Sequence, residues 1–183
     1  HKGVVVRGEN DPDLAVGHSL IEPLPGMKPL LTQPKGLVET FGYMHGLRGV
    51  QKGGDLQWVV GTAVTNKEGS RKGSLVTGWS FRRYAGLLEA NARQHAEKAA
   101  EGKRDRRPLL YVFLLKGNKA YGGAITPDVS AKAVGDLALP SKLKGEEIIQ
   151  SAVRIAERDY AIGARALPGL GDGVAIAVLV SVI

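Results

Sequence analysis

Leu56-Gln57-Trp58-Val59-Val60-Gly61-Thr62-Ala63-Val64-Thr65 and Lys72-Gly73-Ser74-Leu75-Val76-Thr77-Gly78-Trp79-Ser80 are the stretches that decide the fold. The first places Leu56, Trp58, Val60, Thr62 and Val64 on one face of an extended chain, because successive side chains of a strand point to opposite sides. Upstream, residues 39–48 (ETFGYMHGLR) alternate in the same way, with Phe41, Tyr43, His45 and Leu47 on one side. The connections, Gly49–Asp55 with Gly53-Gly54 and Asn66–Ser70 with Gly69, are short and contain glycine. Three strands joined by two such links form an antiparallel meander.

Elements on either side follow from turn and cap signals. Val4-Val5-Val6 is a β-branched run and is expected to be a strand. Asp11-Pro12-Asp13-Leu14 has the form of a helix start, and Gly17 to Gln33 that of short helical turns around Leu20, Leu24 and Leu30-Leu31. After the meander, Ser80 is placed to cap a long helix running to about Glu101, with Phe81, Tyr84, Ala85, Leu88 and Ala92 as its buried stripe. Leu109–Leu115 and Lys119–Ile125 make a hairpin across Lys116-Gly117-Asn118. Thr126-Pro127-Asp128 opens a helix, with Thr as the cap. The spacing of Ile148, Ile149, Ala152, Val153 and Ile155 predicts a further helix over about Glu146 to Glu157. Tyr160–Leu167 and Val174–Ile183 close the chain as a hairpin. The expectation is one α+β domain over residues 1–183, with a central antiparallel sheet flanked by helices.

Composition bounds the function. The chain has 183 residues, 43% apolar and 23% charged, so it can bury a core without staples. It has no cysteine, which removes disulfide scaffolds, thiolate zinc sites and cysteine nucleophiles together. It begins at His1 with neither an initiator Met nor a leader, as expected of a piece excised from a longer protein, whose signal or anchor would lie outside it. The longest apolar run, Val174 to Ile183, is about half of what a bilayer crossing needs.

The net charge is +7, with its excess in Lys98–Arg107 and smaller clusters at Arg71-Lys72 and Arg82-Arg83. No aromatic residues are interleaved with the main cluster for bases to stack on, so a helix end with its dipole complemented is favoured over a nucleic-acid face. None of the four histidines, His1, His18, His45 and His95, lies within four residues of another, so no helical metal pair is expected. No serine sits in a Gly-x-Ser-x-Gly elbow. Pro168-Gly169-Leu170-Gly171-Asp172-Gly173 echoes a phosphate loop but lacks the Lys-Ser/Thr and the following helix, and is a turn. No cofactor is expected, and the chain is not expected to be an enzyme.

One constellation remains. Tyr43, His45 and Arg48 gather donors in a glycine-containing strand, and glycine inside a strand marks close approach of a ligand or another backbone. A polar strand end facing water is the plain alternative. Trp58 and Trp79, the only two tryptophans, both fall in the meander. They belong either to a core or to the wall of a ligand pocket over the sheet, with hydroxyls from Thr62 or Tyr43 and Arg48 as anion anchor. A guanidinium fork can bond both oxygens of a carboxylate. The candidate ligand-binding residues are Tyr43, His45, Arg48, Trp58 and Thr62, with the ligand between the meander and the helical turns of residues 11–35.

The run from Trp58 to Thr65, the polar turn, and the run from Lys72 to Ser80 resemble the extracytoplasmic Cache sensor domains, a PAS-like family of bacterial histidine kinases and chemotaxis receptors. The hairpin from Tyr111 to Tyr121 and the closing one from Arg158 to Gly169 are similar to theirs. The family's usual leading helix and flanking membrane segments have no counterpart here. The resemblance implies a non-catalytic periplasmic sensor of a small molecule, part of a membrane-anchored signalling protein and allowing a homodimer. It carries over no binding residues. The alternative is a protein-interaction or dimerisation module of the same α+β class.

Overall fold

A computed structural model describes residues 3–6, 16–33, 36–44, 55–99, 108–145 and 147–182. They form an α+β structure with two antiparallel sheets, and compact packing divides the chain between Ser80 and Phe81 into two units. The expected single central sheet is therefore two sheets, one in each unit.

The first unit holds the meander: β1 (Leu37–Met44), β2 (Asp55–Thr65) and β3 (Arg71–Ser80), in that order and antiparallel throughout. A 3-10 helix, Pro25–Leu31, lies on one face, where Leu24, Met27, Leu30, Val38 and Val59 are buried together. Two strand glycines let it come close. A Cβ on Gly42 would stand 2.2 Å from Leu24 Cδ2, and one on Gly61 would stand 2.6 Å from Met27 Cε and 2.7 Å from Leu30 Cδ2. The glycines thus mark the approach of another segment of this chain, one of the two meanings that such a residue has in a strand. Val4-Val5-Val6 is not a strand. Val4 makes an isolated bridge to Ser19, with backbone bonds from Val5 to His18 and from Gly17 to Val5, and among the described residues the pairing goes no further, leaving Val6 87% exposed. The expected helix start at residues 11–14 lies outside the described residues.

The second unit begins with α1 (Phe81–Ala99) and continues with β4 (Leu110–Lys116), β5 (Lys119–Gly122), α2 (Asp128–Asp136), β6 (Ile148–Ile155), β7 (Arg158–Ala166) and β8 (Val174–Ser181). The sheet order is β5-β4-β8-β7-β6. One face packs Phe113, Leu115, Ile162, Ala164, Ala177 and Leu179 with Val134 of α2 and with Leu139. α1 buries Phe81 and Ala85 and meets Tyr121 of β5 edge to face, at 5.6 Å between Phe81 and Tyr121 ring centres.

β6 replaces the helix expected over Glu146 to Glu157. Ile149, Val153 and Ile155 are the more buried positions and alternate with exposed Gln150, Ala152 and Arg154, a period of two. The pairs 148/152 and 149/153 fit a helix equally well, which is the usual ambiguity of a short apolar run. What decides is the pairing with β7, from Ile148↔Arg165 to Ile155↔Arg158, through a two-residue turn. In that turn Ala156 and Glu157 both take positive φ, 46° and 67°. The chain carries no Asn-Gly or Asp-Gly there to announce it.

Two further expectations change. Tyr84 is 45% exposed rather than in the α1 stripe, and Glu89 is buried there instead. Thr126 does not cap α2, whose N-terminus makes no side-chain cap bond. Its hydroxyl instead donates to Glu89 Oε2 at 3.4 Å. Glu89 Oε2 also accepts from the Val112 backbone N–H at 3.2 Å, and Oε1 pairs with Arg93 Nη2 at 2.8 Å. Arg93 in turn donates to the Leu110 carbonyl through Nε and Nη2. The strand pairing of β5 on β4 stops at Phe113↔Gly122, so this pair of α1 side chains serves the strand just beyond the last β5 residue. Gly86 makes the close approach possible. A Cβ on Gly123 would stand 2.9 Å from its Cα, backbone that no rotamer change can move aside.

Candidate functional site

The register of the first sheet turns the sequence alternation into cross-strand rows. Phe41 lies opposite Trp58, and Trp58 opposite Trp79, so one aromatic row crosses all three strands. Tyr43 is opposite Leu56 at the next position on that face. On the other side come the rows Glu39–Val60–Thr77 and Leu37–Thr62–Leu75. Directly opposite residues share a face with their Cβ atoms about 4.5–5.5 Å apart, which brings neighbouring rings into contact. Trp58 and Trp79 stack accordingly, with ring centres 4.9 Å apart and planes inclined by 28°.

Of the five residues singled out in the sequence, Tyr43, Trp58 and Thr62 are brought onto this one face. His45 and Arg48 lie outside the described residues. The Thr62 hydroxyl donates to the Gly36 carbonyl at 3.1 Å, so its proton is engaged within the chain. Trp79 is 43% exposed and Tyr43 39%, while Trp58 is half-buried between its neighbours. Leu37 and Leu75 are more open still, at 68% and 66%.

Between the meander and the described part of the helical turns, residues 16–33, the expected ligand position is filled. The 3-10 helix covers the opposite face, that of Val38, Gly42, Val59 and Gly61, and Leu24, Met27 and Leu30 leave no gap at the two glycines. Tyr43, Trp58 and Thr62 therefore lie on the face away from the 3-10 helix. The alternation of β2 alone could not assign the sides. Both of its faces carry apolar residues, and the strand buries Asp55, Gln57, Val59 and Gly61 on the side of the 3-10 helix. Gln57 donates to the Asp55 carboxylate at 3.0 Å, a buried polar pair that the sequence did not single out.

Chemically, this face carries ring faces and edges, the phenol of Tyr43, the hydroxyl of Thr77 and the carboxylate of Glu39, with Leu56 buried opposite Tyr43. Among the described residues, no three of His, Asp and Glu gather as metal ligands. No helix among them is long and apolar enough to cross a membrane.

Fold and face define an α+β chain with an aromatic row on a partly exposed face of a three-stranded sheet, and a five-stranded sheet in the other unit. No family model and no curated protein matches the sequence.

Proposed function

We propose that this chain is the ligand-sensing part of a bacterial membrane signalling receptor of Cache/PAS-like type, a histidine kinase or chemotaxis receptor, acting outside the cytoplasm. The observation that carries this reading is the second sheet. Counted within its own unit, it runs 2-1-5-4-3, all antiparallel, with a helix ahead of its first strand and another between its second and third. This arrangement supports the reading beside the resemblance of Trp58–Ser80, Tyr111–Tyr121 and Arg158–Gly169 to that family. The location outside the cytoplasm rests on the resemblance.

The small molecule is placed on the aromatic row of the first unit, with Tyr43, Trp58 and Trp79 as its contacts. Arg48 and His45 follow β1 in sequence, and Arg48 supplies the anchor for an anionic ligand. A ligand shifts a two-state module only by its differential affinity for the two states, so tight binding alone is not signalling.

The test uses the two tryptophans, both of which lie in the row, so tryptophan emission, excited apart from the five tyrosines, reports on this row. Purified chain is screened by thermal shift against amino acids, organic acids, nucleotides and simple anions. A ligand at about 100 times its dissociation constant adds about 2.7 kcal/mol, roughly 5–11 °C for a protein of this size. The expected result is a hit that also changes the tryptophan emission. Trp79→Ala weakens it, and Arg48→Ala abolishes it if the ligand is an anion. A hit with unchanged emission would move the site off the row.

A second reading, an interaction module, is favoured by Leu37 and Leu75, two large apolar side chains about two-thirds exposed on the same face. A flat screen together with a stable complex of copies would select it.

A further inference from the structure

We propose that β3 pairs with β3 of a second copy of this chain, antiparallel about a two-fold axis at Leu75, so that two three-stranded sheets become one of six strands. This goes beyond the ligand reading and does not depend on it.

Among the described residues β3 is an outer strand of ten residues. An outer strand presents a row of unpaired N–H and C=O groups, and soluble proteins guard such edges with charge, proline or short length. The other three outer strands are guarded: β1 carries Glu39 in its middle, β6 carries Arg154, and β5 has four residues and begins on Lys119. From Gly73 to Trp79, β3 has neither a charge nor a proline, and it exposes Leu75 and Trp79.

The strand's own pattern selects the partner and the register. Its cations, Arg71 and Lys72, sit together at one end. Parallel pairing would set them beside their copies. Antiparallel pairing about Leu75 carries the two cationic ends to opposite ends of the pair, roughly 27 Å apart at about 3.4 Å per residue, well beyond a Debye length of about 8 Å. The irregular pairing at Thr65↔Arg71 turns Arg71 to the face of the 3-10 helix, where its guanidinium donates to the Leu30 carbonyl. Opposed residues must also share a face, which limits the partner's register to steps of two. The register centred on Leu75 sets the most exposed apolar side chain of β3 against itself, Gly73 against Thr77, and Ser74 against Val76. The contact is self-complementary, as a two-fold interface requires. It also extends the open face, so that both aromatic rows lie on one sheet.

The absence of cysteine makes the test clean. Directly opposed residues of an antiparallel pair have Cα atoms about 4.5–5.5 Å apart, within the range of a disulfide. Leu75→Cys is expected to form a covalent dimer under mild oxidation with diamide at least about tenfold faster than Thr77→Cys, whose copies would stand roughly 14 Å apart, or Leu37→Cys on the opposite edge. Sedimentation of the unaltered chain is expected to give a dimer. Leu75→Lys, which opposes two like charges, is expected to raise its dissociation constant about tenfold or more, and Leu37→Lys to leave it unchanged. An unaltered chain that stays monomeric at every accessible concentration overturns the proposal. So does cross-linking of Leu37→Cys at the rate of Leu75→Cys, which would mean face-to-face association, or faster cross-linking of Thr77→Cys, which would mean another register.

Discussion

Glu89→Ala is expected to lower the stability of the second unit by about 3 kcal/mol, measured by urea denaturation followed in the far-ultraviolet circular dichroism. The carboxylate is 3% exposed and takes three partners from three segments: Arg93 in its own helix, the Val112 backbone N–H of β4, and the Thr126 hydroxyl ahead of α2. Truncation leaves the Val112 donor buried without its acceptor, which costs about 1–3 kcal/mol by itself. Arg93 keeps its bonds to the Leu110 carbonyl, and its side chain is 39% exposed, so water recovers part of the lost ion pair. That holds the total near the lower end of the range for breaking a buried pair, about 3–5 kcal/mol. Glu89→Gln retains an acceptor for Val112 and is expected to cost about 1 kcal/mol. Equal stabilities for Ala and Gln would show that the helix is held by its apolar contacts alone.

In the first unit the largest loss is expected from Leu24→Ala, about 3 kcal/mol. Leu24 is fully buried between the 3-10 helix and β1, where Gly42 leaves room for its side chain and nothing more. Such a site collapses poorly around a cavity, which is what sets the cost of a truncated core leucine. Because Trp58 and Trp79 both lie in this unit, tryptophan emission follows its unfolding directly. The loss should therefore appear in the fluorescence transition. It should leave the stacked pair intact below that transition, since Leu24 packs on the opposite face.

Much of the first unit is legible in the sequence because its strands alternate and its links contain glycine. β2 and β3 fall within a residue of where the pattern puts them, and the pairing of the two tryptophans follows from the meander. What the pattern does not carry is which face the preceding segment covers. β2 has Leu56, Trp58 and Val60 on one side and Val59 between two small or polar residues on the other. A count of apolar residues favours the first side as core. The structure buries Leu56 on the first side, but it is the second that the 3-10 helix covers, because Gly42 and Gly61 admit Leu24, Met27 and Leu30 there. The candidate site inherits the same difficulty. Alternation puts Tyr43, Trp58 and Thr62 on one face but does not say that Leu24, Met27 and Leu30 cover the other.

In the second unit, β6 was hidden because its isoleucines and valine satisfy two periods at once, and only the long-range pairing with β7 separates them. Glu89 was hidden for a different reason. A lone carboxylate in an apolar stripe reads as a helix surface until the partners that desolvation demands are found on β4 and near α2.

The turn between β6 and β7 has one more implication. A two-residue link of this kind normally helps to start its hairpin, since Asn-Gly adopts it readily before the strands meet. Ala156 and Glu157 resist that conformation, at roughly 1–2 kcal/mol for each residue with a Cβ, so here the link is closed by the strands and not the reverse. β7, already held along its length by β8, acts as the template on which β6 is laid. β6 is then the last strand to join and the first to peel away. Its amides are expected to exchange with deuterium faster than those of β4 or β8, and equal protection along the sheet would contradict this order.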